Sequence, residues 1–160
     1  MRRLVAFFLL ALLATVPLPA RVGERAADLR KRFGKPEATP NRNTNVWLIE
    51  APAGALLYTV TFNSADVSIA EGLKPYRRAV MSERSARDFV ADQLAGRENS
   101  PTLRTVKTGE PYTFGGEAFV CNEDELVYVD DANDVLIIWT QRPVATVMAV
   151  TKEMVQRAGR

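Results

Sequence analysis

Three β-branched and aromatic runs follow one another between Val46 and Glu71 with only short breaks between them. Val46-Trp47-Leu48-Ile49 is stopped by the turn chemistry of Ala51-Pro52-Ala53-Gly54. Ala55 to Phe62 then alternates, with Leu57, Thr59 and Thr61 opposed to Leu56, Tyr58, Val60 and Phe62, as a strand with two different faces does. Asn63-Ser64-Ala65-Asp66 turns the chain into Val67 to Glu71. Parallel neighbours need a crossover of roughly a dozen residues or more. These breaks are too short for that, so the three runs read as an antiparallel meander.

Helical signals flank the meander. Val22, Ala26, Leu29 and Phe33 form one stripe at helical spacing; Gly34 is suited to a left-handed end and Pro36 prevents resumption. Pro40 to Asn45 then reads as a polar loop. Ser82 is placed as an N-cap with Glu83 beside the positive helix end. Ala86, Phe89, Val90, Gln93 and Leu94 share a face of that helix, and Gly96 closes it.

After the linker from Arg97 to Pro101 comes a second β-rich stretch. Its strand patterns are Leu103 to Thr108, Tyr112 to Phe114, Glu117 to Cys121, Glu125 to Asp130 and Val135 to Thr140. Gly115-Gly116 reads as a turn or bulge. Asp131-Ala132-Asn133-Asp134 reads as a tight hairpin in which Asn133 takes the positive φ. Beyond Pro143 the pattern suits a strand to Val150 and a short helix from Lys152 to Arg157. The expected class is α+β, with short helices packed on antiparallel β-sheet. The order is compatible with two α-then-β units, about 22–74 and 80–158, inside a single domain over 21–160.

Met1-Arg2-Arg3, the apolar run from Leu4 to Val16 and Pro17-Leu18-Pro19-Ala20 have the three-part layout of a secretory signal peptide over 1–20. The run falls short of the roughly 20 apolar residues a spanning helix needs. Cleavage after Ala20 leaves no transmembrane segment, whereas the bulky Leu18 leaves retention as an anchor open. The expected location is periplasmic or secreted. Of 21 Lys+Arg, Arg2 and Arg3 belong to the leader, so the remainder balances the 19 Asp+Glu. A neutral domain of this kind lacks the basic footprint nucleic acid requires. Arg21 to Lys107 nevertheless carries 15 basic against 10 acidic residues, and Thr108 to Arg160 carries 4 against 9.

The residues Gly23, the helix through Leu29, Phe33-Gly34-Lys35-Pro36, Asn43-Thr44-Asn45-Val46-Trp47 and Val60-Thr61-Phe62-Asn63-Ser64 form a recognisable series. Over roughly Val22 to Lys74 the chain resembles the SmpA/OmlA family, which includes the smallest lipoprotein subunit of the outer-membrane β-barrel assembly machine. The resemblance implies a non-catalytic helix-on-sheet module that binds protein or envelope partners. The family's acylated cysteine has no counterpart here, and the resemblance does not extend over Val80 to Arg160.

Catalytic chemistry is narrowed by what the chain lacks. With no histidine and one cysteine, it has no Ser-His-Asp or Cys-His pair, no histidine-ligated zinc and no thiolate cage. Phosphate-cradling glycine motifs are also absent from the sequence. Cys121 sits in an apolar stretch and reads as a buried small hydrophobe. Glu123-Asp124-Glu125 and Asp130-Asp131-Asn133-Asp134 offer oxygens without calcium-loop spacing, so no metal is expected. A hairpin could bring the two acidic groups side by side, at a cost in like-charge repulsion that calcium would relieve. Glu110 and Glu117 are the candidate pair for a small carboxylate-dependent hydrolase. Lys74-Pro75-Tyr76-Arg77-Arg78 is a basic-aromatic cluster suited to an anionic head group, a carboxylate or a glycan, in what reads as a loop before the second helix. Trp47 and Trp139 are expected in the core. The leading expectation is an exported binding or interaction protein of the cell envelope, without catalytic residues or cofactor, whose partner is a protein or envelope component. An outer-membrane assembly accessory and the small hydrolase are the alternatives.

Overall fold

The computed structural model describes residues 21–159; the signal peptide expected over 1–20 lies outside the described residues. The architecture is α+β. Its elements run α1 (Ala26–Phe33), β1 (Ala38–Asn41), β2 (Thr44–Ile49), β3 (Leu56–Phe62), β4 (Ser68–Pro75), α2 (Glu83–Leu94), β5 (Leu103–Val106), β6 (Pro111–Phe114), β7 (Glu117–Val120), β8 (Glu125–Asp130), β9 (Val135–Thr140), β10 (Thr146–Val150) and α3 (Lys152–Ala158).

The expected meander is present as β2, β3 and β4, each antiparallel to the next. It is longer than its apolar pattern. Pro40 to Asn45, read above as loop, is largely strand: β1 pairs with β2, and the Asn41 carboxamide oxygen accepts the Asn43 N–H across the turn at 2.9 Å. All four β1 residues are exposed. The strand is therefore held through its main chain and leaves no hydrophobic periodicity to detect, and Pro40 is tolerated because edge strands need not donate on both sides. Likewise β4 runs on to Pro75, so Lys74 and Pro75 belong to a strand rather than to the loop expected for them.

β4 also pairs with β10, antiparallel and in register from Val147–Leu73 to Val150–Ala70. Both halves of the chain thereby enter one eight-stranded sheet, ordered β1-β2-β3-β4-β10-β9-β8-β5, with β6-β7 a separate two-stranded hairpin.

One face of this sheet is covered by α1 and α2. Trp47, Tyr58, Leu73, Val147 and Trp139 lie in a register row across five strands, and all are buried. Leu29 of α1 and Phe89 of α2 pack into the same core without solvent contact. Phe33, Trp47 and Tyr58 gather with ring centroids 5.3–5.9 Å apart, within the range of favourable aromatic pairing. Trp47 Nε1 donates to Gly34 O at 3.1 Å, and Gly34 takes φ 79° where α1 stops. The cap expected of Ser82 is present, its Oγ accepting the Ser85 N–H at 3.0 Å.

The opposite face is covered over β5, β8 and β9 and over the adjoining ends of β10 and β4. There the β6-β7 hairpin and α3 enclose a second core of Val106, Tyr112, Phe114, Cys121, Val127, Val129, Leu136 and Val150. Beyond the Ala70–Val150 row, which α3 covers, that face is left open over β2, β3, the Gly72–Lys74 part of β4 and Met148 of β10. The positive φ expected at Asn133 belongs instead to Asp134, at 54°. Asn133 Nδ2 donates to Asp130 at 2.7 Å, while Asp134 accepts the Lys152 N–H at 2.7 Å and so fastens the turn to the start of α3.

Candidate functional site

The most perturbed carboxyl is one the sequence did not single out. Glu71, on β4 two residues before Leu73, points into the helix-covered core and is 2% exposed. Tyr58 Oη and Gln93 Nε2 each donate to its Oε2 at 2.9 Å, and Ser68 Oγ donates to Oε1 at 2.9 Å. Gln93 in turn accepts the Val22 N–H at 3.0 Å. Burial raises the Glu71 pKa to about 7 against the pull of these three hydrogen bonds, with a smaller contribution from the charge of Glu24. The network ties β4 to α2 and to the chain entering α1. The signal available in the sequence was one of parity: Glu71 lies in phase with Leu73 on a strand whose inward positions are otherwise apolar.

Asp130 shows the opposite balance. Burial works to raise its pKa, but hydrogen bonds from Thr102, Ser100 and Asn133 outweigh it and hold the group at about 2. The bonds measure 2.5, 2.7 and 2.7 Å. This carboxylate stitches the linker before β5 to the β8–β9 turn.

The residues proposed from sequence are dispersed. Glu110 and Glu117 lie toward opposite ends of the β6-β7 hairpin, since Glu117 pairs with Phe114 at the turn and Glu110 precedes Pro111 at the open end. Four strand steps separate these positions, about 13 Å, beyond the about 5–9 Å that paired glycosidase carboxyls use. Glu110 is instead occupied by Arg104 at 3.2 Å and the Lys107 N–H at 3.0 Å.

The two acidic groups do not approach one another either. Glu125 and Asp130 are the ends of β8, about 17 Å apart by strand rise. Asp124 pairs with Arg142 at 2.6 Å and Asp131 with Lys152 at 3.3 Å. Among the described residues, no group of three or more His, Cys, Asp or Glu is placed to hold a metal ion. Cys121 is buried, with its Sγ 3.8 Å from the carbonyl oxygens of Val106, Asn122 and Glu125, and burial followed by Glu125 and Glu110 raises its thiol pKa. Trp47 and Trp139 are core residues.

Two surfaces remain open. The first is the uncovered sheet face, where register aligns Val46, Thr59, Gly72 and Met148 in one row and Leu48, Leu57 and Lys74 in the next. Leu48 is 38% and Met148 44% exposed. The second is the sheet end bearing Lys74 to Arg78. There a cleft of about 250 Å³ opens between the start of α2 and the β9–β10 loop, lined by Met81, Ser82, Glu83, Trp139, Gln141 and Ala145. Arg87 lies over the Trp139 ring, 5.7 Å from its centroid, and pairs with Glu83 at 2.6 Å. Glu83 is the cleft's single carboxyl, so no acid pair converges there. No helix among the described residues is long and apolar enough to cross a membrane.

No protein-family model matches the chain, and no curated protein matches its sequence. Among solved structures the chain is similar to a cysteine-rich secretory protein from Staphylococcus aureus, with TM-score 0.46 and 12% identity over 84% of this chain and 46% of that one. An extracellular protein with an SCP domain from Bacillus anthracis gives TM-score 0.43 and 12% identity, covering 85% and 46%. A DUF4309 family protein from Bacillus subtilis gives 0.36 and 18%, covering 80% and 78%. The chain spans less than half the length of the first two.

Proposed function

We propose that this chain is an exported, non-catalytic binding protein of the cell envelope, built from two α-then-β runs that share one sheet. The observation that carries the reading is the uncovered face of β2, β3 and the Gly72–Lys74 part of β4, continued by Met148 on β10. A sheet face turned to water usually presents polar side chains in alternation with an apolar inner face. This one presents Val46, Leu48, Leu57 and Met148 among threonines, with Lys74 its charged member. Apolar surface gathered in this way is characteristic of binding sites. The apolar leader supports the envelope as the place of action.

The test is capture from a native envelope fraction by the immobilised chain beginning at Arg21. Leu48→Asp and Met148→Asp, both at exposed positions, are expected to abolish recovery of the bound component while costing about 1 kcal/mol of stability, which leaves the chain folded. Equal recovery by the variants, or no envelope component recovered at all, refutes the reading. Recovery of barrel-assembly subunits would extend it to an assembly accessory, the role the SmpA/OmlA resemblance implies.

A further inference from the structure

Three loops meet at one end of the sheet: residues 50–55 between β2 and β3, 76–82 between β4 and α2, and 141–145 between β9 and β10. The register brings them together, since Leu56 pairs with both Ile49 and Pro75, and Thr146 with Thr140. Tyr76 N–H donates to Ala55 O at 3.0 Å and Val80 N–H to Ala53 O at 3.3 Å, joining the first two loops. Met81 and Ala145 line one cleft, which brings the third alongside.

The side chains on these loops combine two properties. Val80 is 65% exposed, more than any other large hydrophobic residue of the described chain, and Val144 is 56% exposed, level with Val120 of β7; Pro52 and Ala53 are exposed on the first loop. Lys74, Arg77 and Arg78 make no ion pair among the described residues; Arg77 only stacks on Tyr76, its guanidinium carbon 4.8 Å from the ring centroid. The other charges at this end are nearly all committed. Arg142 is held by Asp124 at 2.6 Å, and Glu83 by Arg87 at 2.6 Å. Within the three loops Glu50 is the single acid. The overall neutrality of the domain therefore conceals a local cationic surface ringing exposed apolar tips.

We infer that this end of the sheet docks on an anionic phospholipid surface, with Val80 and Val144 entering the headgroup layer and Lys74, Arg77 and Arg78 facing lipid phosphates. Apolar tips alone would suit a protein groove as well. Unpaired cations around them match a bilayer, where basic residues gain from the negative surface potential and short apolar side chains from the interface. The inference shares Lys74 with the uncovered sheet face but none of its apolar residues, and the two are tested by different assays.

The experiment is vesicle flotation of the chain beginning at Arg21, because the leader's apolar run would bind any bilayer by itself. That form holds both cores, whose residues lie between Val22 and Val155. Vesicles of phosphatidylglycerol mixed with phosphatidylcholine are compared with phosphatidylcholine alone. Binding to the anionic vesicles only, weakening as salt is raised, is expected. Removing one cation should weaken it about 5-fold, and Lys74→Gln, Arg77→Gln and Arg78→Gln together about 100-fold. Val80→Asp should also weaken binding, whereas Arg84→Gln, at a side chain on α2 that is 91% exposed, should not. Absence of binding, equal binding to neutral vesicles, or wild-type binding by the triple variant or Val80→Asp would each overturn the inference. Lipid composition and salt test it even if a variant fails to fold.

Discussion

Glu71→Gln should remove a pH dependence of stability that the wild-type core imposes on itself. In the open chain this carboxyl ionises near 4.5, and in the fold near 7. Between those values the folded state holds a proton that the unfolded state has released, so stability falls as pH rises through the window. At 1.36 kcal/mol per pH unit of displacement, the loss is roughly 3 kcal/mol once pH exceeds the folded value. That is a large part of a total stability on the order of 5–15 kcal/mol. Glutamine keeps the shape and an acceptor for Tyr58 and Gln93 but has no charge to desolvate. It should cost about 1 kcal/mol at pH 5, through a poorer hydrogen bond to Ser68, and, because the wild type loses about 2.5 kcal/mol between pH 5 and pH 8, exceed it by about 1.5 kcal/mol at pH 8.

Urea unfolding followed by the fluorescence of the buried Trp47 and Trp139, repeated from pH 5 to pH 8, reads this directly. Asp130 does not interfere, because its folded pKa near 2 lies below its ordinary 3.8 and its contribution is lost only as acid is added through that lower range. Asp92, raised by burial and by Asp88, adds a slope of the same sign that both proteins share. A wild-type stability that is flat or rises from pH 5 to pH 8 would refute the argument. An equal slope in Glu71→Gln would refute it as well.

Two further perturbations check other parts of the structure. Gly54→Ala places a Cβ 2.8 Å from that of Ala79, at a backbone φ of 106°. It should destabilise by more than the roughly 1 kcal/mol of Gly116→Ala, where φ is 92° and the space is open; equal thermal shifts would show that the two apolar loops are not packed as described. Cys121, buried and with its thiol pKa raised, should react with an aromatic disulfide reagent only as the chain unfolds. Stoichiometric reaction in native buffer within seconds would contradict its burial.

Much of the fold was legible because it is written in local periodicity. Leu56 to Phe62, Glu125 to Asp130 and Val135 to Thr140 declare themselves as strands through β-branched residues and alternation, and Ser82 declares its helix through its cap. The candidate surfaces were less so. The basic cluster was visible as residues, but its strand portion, its lack of ion pairs and its nearness to Val80 and Val144 depend on which loops share a sheet end. Glu110 and Glu117 looked like partners only because sequence distance is silent about the direction of a hairpin.

From its residues alone, this chain had to be an antiparallel α+β protein with Trp47 and Trp139 inside and no histidine chemistry. Turn spacing and side-chain pattern act over a few residues, and they suffice for that. The tertiary structure decided the rest: an exposed strand β1 held only by main-chain pairing, and the join of β4 to β10 that makes one sheet from both halves. It also decided the burial of Glu71 and the exposure of part of one sheet face. Each of these depends on which distant segments meet, and the free energy of such meetings belongs to pairs of segments and to the water excluded between them.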